Sequence, residues 1–244
     1  MEGVTGYVYR NAYAKYYGGI ERYFTPFVAN KKLGPREKND VCPEHNAGMA
    51  VVPQILTNRA EDFLAIAEIL REYGYDTVNL NLGCPSGTVA ARGRGAGFLA
   101  MPDELDHFLE EIFEKCPLRI SIKTRIGKED PAEWERLLAI YEKYPLEELI
   151  VHPRVQTDFY KNRVNLEAFA RAEKNSRHSL CYNGDIVDAA SAAHIREGFP
   201  SVDKFMIGRG LIKHPWLLEE LSGGRQEKQE RKERFFRFHN AILE

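Results

Sequence analysis

Apolar residues recur along the chain in two rhythms. Phe63, Ile66, Ala67 and Leu70 fall on one face of a helix, with Asn58 expected as its N-cap and Glu61 closing a capping box. Leu105, Phe108, Leu109 and Ile112 repeat the stripe. Trp134, Leu137, Leu138 and Tyr141 do so again, behind Asp130 as N-cap and Pro131 at the first helical position. Short apolar segments lie between the stripes, at 22–28, 50–55, 77–82, 119–124, 149–152, 180–183 and 204–207. Strands alternating with helices predict a parallel sheet whose strands are joined by helical crossovers. A last helix is expected over 225–243, charged but carrying Phe235, Phe238, His239 and Ile242 as a stripe. It either folds back on the body of the protein or presents that stripe outward.

Strand alternation sorts the polar residues. Val78, Leu80 and Leu82 share one face of their strand and Asn79 and Asn81 the other. Ser121, Lys123 and Arg125 stand opposite Ile120 and Ile122, and His152 shares a face with Ile150, opposite Val151. With the apolar faces against the helices, these polar side chains gather at the C-terminal ends of neighbouring strands. Two loops with glycine, Asn183-Gly184-Asp185 and Gly208-Arg209-Gly210, follow the last two strands. Glycine there lets the main chain approach a phosphate closely, and Arg209 adds charge.

The strand at 77–82 runs into Gly83-Cys84-Pro85-Ser86 and then into the glycine-rich Arg92-Gly93-Arg94-Gly95-Ala96-Gly97. A thiol between glycine and proline sits on a main chain that turns sharply and then holds its shape, which suits proton transfer or attack. The alternative is a small buried hydrophobe. Lys123 and His152 have two readings as well. They pair internally with acids, or they face a ligand, since a buried ammonium needs a partner.

The segment Asn79-Leu80-Asn81-Leu82-Gly83-Cys84-Pro85-Ser86 resembles the signature of the tRNA-dihydrouridine synthase family. Further pieces in matching order are similar to the same family: Met1-Glu2-Gly3-Val4-Thr5, Val52-Pro53-Gln54-Ile55, Ser121-Ile122-Lys123-Thr124-Arg125, Val151-His152-Pro153-Arg154 with Tyr160, Tyr182-Asn183-Gly184-Asp185-Ile186, and Ile207-Gly208-Arg209-Gly210. The resemblance implies an α/β fold, a (β/α)8 TIM barrel, with strand 1 immediately before Met1, so that most of that strand is expected to be missing. It implies a catalytic barrel over 1–222 and, over 223–244, the start of a C-terminal helical domain that binds tRNA. It implies FMN held by Met1, Gln54, Lys123, His152, Asn183, Gly184, Asp185, Gly208 and Arg209, with Asn81, Arg125, Arg154 and Tyr160 on the substrate side. By the same resemblance NADPH reduces the flavin, hydride passes to C6 of a uracil in tRNA, and Cys84 protonates C5. An ordinary thiol, with a pKa of about 8.5, is already mostly protonated at neutral pH, as a donor requires, although Lys123 or Arg125 nearby would push it toward thiolate.

Composition adjusts this picture only slightly. The 244 residues carry a formal net charge of −2, with no overall basic field of the kind that announces a nucleic-acid partner. Arg92, Arg94, Lys123, Arg125 and Arg154 are then either a local basic stripe for phosphates or solvated charges. Four cysteines, Cys42, Cys84, Cys116 and Cys181, lie far apart without paired metal-ligand spacing, which fits a reduced protein with no metal centre. No apolar run is long enough to cross a bilayer and no signal peptide is present, so a cytoplasmic monomer without membrane contact is expected. Two other functions remain open: a flavin barrel reducing a small free molecule such as a pyrimidine, and a non-catalytic RNA-binding barrel. A sugar-processing barrel fits poorly, because no pair of carboxylates stands at strand ends.

Overall fold

The computed structural model describes residues 1–224 and 227–244. Seven strands, β1 (Tyr23–Val28), β2 (Val51–Ile55), β3 (Thr77–Leu82), β4 (Arg119–Arg125), β5 (Leu149–His152), β6 (Leu180–Tyr182) and β7 (Lys204–Phe205), form one sheet in chain order. Every neighbouring pair is parallel, and the sheet curls into a half-barrel. All seven segments expected from sequence are strands; β3 and β5 have the expected bounds and the other five differ at one end by one or two residues. The helices are α1 (Tyr7–Tyr16), α2 (Pro35–Val41), α3 (Ala60–Glu72), α4 (Gly87–Ala90), α5 (Pro102–Lys115), α6 (Glu133–Tyr141), α7 (Leu166–Asn175), α8 (Ala189–Gly198), α9 (Arg209–Lys213), α10 (Leu217–Leu221) and α11 (Lys228–Leu243). Among the described residues, none is long and apolar enough to cross a membrane.

The alternation of each strand fixes which side meets the helices. Val78, Leu80 and Leu82 pack with Phe63, Ile66, Ala67 and Leu70 of α3 and with Leu105, Phe108, Leu109 and Ile112 of α5 in one continuous core. Ile120, Ile122, Val151 and Tyr182 carry it on to Trp134, Leu137, Leu138 and Tyr141 of α6 and to Phe169 of α7. The opposite face of the sheet is left to the polar residues.

Two expected caps are corrected. Arg59, not Asn58, caps α3 and makes no side-chain cap bond. The Thr57 hydroxyl accepts from the Arg59 N–H, while Asn58 donates to the Arg92 carbonyl across the sheet end, so the capping box with Glu61 does not form. Helix α6 starts at Glu133 with Ala132 as its cap, two residues beyond Pro131. Asp130 caps the preceding turn, accepting from the Ala132 N–H, and the Glu133 carboxylate collects the N–H groups of Lys128, Glu129 and Asp130.

Helix α1 has no counterpart in the sequence reading. It buries Arg10, Ala12 and Tyr13, and α11 folds back across it. Phe238 is the buried member of the α11 stripe, edge-on to Tyr9, Tyr13 and Tyr17, while Phe235 and Phe236 stay exposed. Arg234 clamps the junction, bidentate to Glu219 at 2.6 Å and stacked 4.4 Å from the Tyr17 ring. The expected start of this helix at Arg225 lies outside the described residues.

Candidate active site

The polar face of the sheet is built in layers set by strand register. Asn79 pairs with Gln54 on one side and Ser121 on the other, Asn81 with Lys123, and Arg125 with His152. The innermost layer is neutral and nearly self-sufficient. Gln54 donates to Asn79 at 2.9 Å, Asn79 donates to Ser121 at 2.9 Å, and Asn81 donates to Gln54 at 3.3 Å. Gln54 keeps one amide hydrogen and one lone pair to spare.

One layer outward, the Asn81 side-chain oxygen accepts the N–H groups of Gly83 and Cys84 at 3.1 and 2.9 Å, which turns the chain over the end of β3. The carbonyl of Cys84 accepts from Ala96 at 3.0 Å, so the glycine-rich stretch lies directly against the cysteine. Gly95 explains why that stretch is glycine-rich. Its φ is +55°, and a Cβ there would sit 2.9 Å from the Cys84 oxygen. Cys84 is half-buried, and burial pushes its thiol above the ordinary value, outweighing the pull of Lys123 and Arg125 toward thiolate. The thiol is therefore held protonated.

Lys123 and Arg125 leave β4 on the same side. Lys123 is partly buried and has no carboxylate partner among the described residues; burial and the Arg125 charge push its pKa down to about 8. Arg125 is fully buried and hydrogen-bonds three main-chain carbonyls, those of Gly83 at 3.1 Å, Val155 at 2.8 Å and Phe159 at 2.7 Å. It ties the cysteine loop to the loop after β5, and the Tyr160 ring lies 5.3 Å from it. His152 is buried beside Arg154, its pKa lowered strongly by burial and by the charges of Lys123, Arg125, Arg154 and Arg209. It is neutral at any ordinary pH. The internal ion pairs open to Lys123 and His152 from sequence do not form among the described residues.

Charge at the next loops is shared through one acid. Asp185 receives the Arg154 guanidinium on both oxygens and Arg209 at 2.8 Å, and the two arginines hold its carboxyl below the usual range. Its φ of +42° is unusual for a residue with a side chain. Arg209 also stacks on Tyr160 at 4.2 Å, and Tyr160, about half exposed, is thus lined by two guanidinium groups. Asn183 fastens the β6 loop to β7 by donating to Met206 at 2.7 Å, and a Cβ built on Gly184 would press on Val164 at 3.0 Å. Met1 reaches Gly208, where a Cβ would lie 3.3 Å from the methionine sulfur.

The residues assigned from sequence to the thiol, the cofactor and the substrate therefore stand at one end of the sheet. Ser121, placed on this face by strand alternation, closes the amide layer. Two participants carried no sequence signal: Gln156 donates to the Pro85 carbonyl at 2.8 Å, and buried Arg10 fixes the N-terminal loop through the Thr5 carbonyl at 3.0 Å.

Known proteins match this chain along its length. A "Probable tRNA-dihydrouridine synthase" of Rhodobacter capsulatus is 26% identical over 228 residues, covering 91% of this chain and 69% of that protein. The "tRNA-dihydrouridine synthase B" of Pasteurella multocida is 24% identical over 220 residues, 89% of this chain and 65% of that protein. The "Probable tRNA-dihydrouridine synthase 2" of Bacillus subtilis is 27% identical over 229 residues, 90% and 70%. The chain thus spans about two thirds of the length of these relatives. Among solved structures, a variant of NCR from Zymomonas mobilis shares the fold, with a TM-score of 0.58 at 13% identity over 92% of this chain and 83% of that one. The dihydrouridine synthase family profile matches residues 1–244, the cysteine loop and the cationic strand ends included, and the chain belongs to that family.

Proposed function

We propose that this protein reduces uridine in tRNA to dihydrouridine, holding FMN at the C-terminal end of the sheet and drawing electrons from NADPH. The observation that carries the reading is Lys123, a partly buried ammonium beside the cysteine loop with no acid to neutralise it among the described residues. A cation in that position needs an anionic or electron-rich ligand. FMN fits the donors present: Lys123 and the spare capacity of Gln54 for the flavin ring, with Met1 and His152 alongside. Asn183, Gly184, Asp185, Gly208 and Arg209 form the two loops for its phosphate. When bound, the flavin supplies the hydride that saturates the C5–C6 double bond, and NADPH restores it.

The chain's own part is to place the base and give it a proton. A thiol whose pKa is raised stays protonated at neutral pH, so Cys84 can donate to C5 and be reprotonated from solvent afterwards. Asn81 fixes the cysteine turn and keeps one amide hydrogen for the base. Arg125 and Arg154 set the loops on either side of Tyr160, whose exposed ring and flanking guanidinium groups suit stacking on a nucleobase. A uracil must leave its stack to reach this position, which favours an unpaired loop over a duplex. We read 1–222 as the flavin-binding barrel and 223–244 as the opening helix of a tRNA-binding unit, in a cytoplasmic monomer.

Nucleoside mass spectrometry of tRNA from cells lacking and then regaining the gene tests substrate and reaction together. Dihydrouridine should vanish at one or more positions and return. An unchanged profile, with flavin bound and reducible by NADPH, would favour the small-molecule reductase instead.

A further inference from the structure

Hydrogen bonds to the carbonyls around Cys84 come from four directions. Gly83 O accepts from Arg125, Cys84 O from Ala96, Pro85 O from Gln156, and Ser86 O from the first turn of α4. Three of these donors belong to β4 or to the cysteine segment and its own continuation. Gln156 does not. It lies in the loop after β5, buried, with its main-chain N–H on the Gly127 carbonyl at 2.9 Å and its side-chain amide on Pro85 at 2.8 Å. The same loop presents Tyr160 four residues later, and Phe159 between them holds a φ of +49°, a strained value for a residue with a side chain.

We propose that Gln156 is a positioning residue for the Cys84 thiol, fixing the cysteine turn to the loop that carries Tyr160 through the Pro85 carbonyl. The inference rests on the reading of Cys84 as the proton donor. Pro85 adjoins the cysteine, and a bond to its carbonyl limits rotation of the peptide plane that follows the Pro85 Cα, one plane beyond the cysteine's own. The rigid proline ring passes that restraint back to the thiol. Because one loop holds both Gln156 and Tyr160, the groove that receives the base and the sulfur that protonates it move as a unit. A shift of about 1 Å between them is the scale at which a reaction loses about 10²-fold.

The test uses the full chain loaded with flavin. Gln156→Met keeps length and volume but cannot donate, and Gln156→Glu keeps the shape while setting an acceptor against an acceptor. Alkylation by iodoacetamide is followed at each cysteine by peptide mass spectrometry, with Cys42, Cys116 and Cys181 as internal references. In both variants the Cys84 rate should change by about tenfold, as for a lost hydrogen bond, while the other three hold their wild-type rates. Reoxidation of the reduced flavin by saturating unmodified tRNA should fall by about 10²-fold, with little change in the half-saturating tRNA concentration. A Cys84 rate equal to wild type in either folded variant overturns the proposal. So does a parallel change at all four cysteines, which reports general loosening. If wild-type protein is not reoxidised by tRNA, the dihydrouridine reading fails, while the alkylation comparison still decides whether Gln156 sets the thiol.

Discussion

Lys123→Met should make the flavin-free protein more stable while weakening its hold on flavin. The substitution keeps the aliphatic stem and removes the charge. Burial and Arg125 lower the Lys123 pKa from 10.5 to about 8. At about 1.4 kcal/mol per unit, carrying that proton costs the folded state as much as roughly 3 kcal/mol relative to the unfolded chain. The sign follows from which state releases the proton first. Below pH 8 both states are protonated and the cost is present in full. Between pH 8 and 10.5 the folded state deprotonates first and wild-type stability recovers; above 10.5 both are neutral and the cost is gone. Urea unfolding of flavin-stripped wild type and variant should therefore show an advantage for Lys123→Met at pH 7 of up to about 3 kcal/mol, or roughly 6–12 °C in melting temperature for a domain of this size. The advantage should shrink toward zero by pH 10.5. Groups that do not feel Lys123 titrate equally in both proteins and cancel in the difference; Cys84, which the Lys123 charge pulls toward thiolate, is removed from it by making the comparison in a Cys84→Ala background. A variant less stable than wild type at pH 7, or an advantage that ignores pH, would refute the view that Lys123 is an uncompensated charge awaiting a ligand. An unchanged flavin affinity would refute its placement beside the cofactor.

Three further outcomes are expected. Cys84→Ala should slow reoxidation of reduced flavin by tRNA by about 10² to 10⁴ while leaving reduction by NADPH intact; in wild type the tRNA step should stay flat through neutral pH and decline only above pH 9, since the thiol is shifted upward from 9.0. Gly95→Ala combines a φ of +55° with a Cβ 2.9 Å from the Cys84 oxygen, so a loss of about 2 kcal/mol is expected in thermal or urea unfolding, together with altered Cys84 alkylation. The unfolded chain takes up a proton at His152 below pH 6.5 that the folded protein refuses, so wild type should lose up to about 1.4 kcal/mol per pH unit there, and His152→Asn should lose less; equal acid slopes would count against a neutral, enclosed imidazole.

Strands and their facing were legible because parallel strands covered by helices leave strong apolar runs, and a period of two sorts their neighbours. That alone placed Asn79, Asn81, Lys123 and His152 on one side of the sheet. Helix α1 was hidden because its buried positions include Arg10, whose two Nη groups donate to the Thr5 and Asp40 carbonyls and to Asn46, and because tyrosines supply much of its contact. A signal was present in Tyr9, Tyr13 and Tyr17, spaced by four and closing on Phe238. The caps failed for a different reason. Asn58 had a local partner in prospect and took a distant one, the Arg92 carbonyl, which no window of sequence reveals. Gln156 is the extreme case, a polar residue on an irregular loop whose meaning lies in a carbonyl 71 positions away.

The absence of an acid beside Lys123 among the described residues has its own structural cause, for a buried carboxylate does stand nearby. Glu148 is 3% exposed, immediately before β5, whose Ile150 is the register partner of Lys123. Two residues of strand separate them, about 7 Å along the strand axis. Glu148 already pairs with Arg22 at 3.2 Å and Lys204 at 3.4 Å. Those cations enter from the segment before β1 and from β7, the two edge strands of the described sheet, so Glu148 is committed at the N-terminal end. At the level of Lys123 itself, the register neighbours are Ile150 and then Cys181, and burial keeps the Cys181 thiol protonated. The strand register thus separates an acid satisfied at one end from a cation left unsatisfied at the other. A charge that could have been cancelled by a one-layer shift of Glu148 is instead held open beside the cysteine. Ile150→Asp makes that shift deliberately. The introduced carboxylate should bind Lys123 internally, raise its pKa back toward 10.5, and abolish flavin binding in a protein that still folds. Retention of flavin by that variant, with the new ion pair to Lys123 demonstrated by the restored pKa, would show that the open charge is not what draws the ligand.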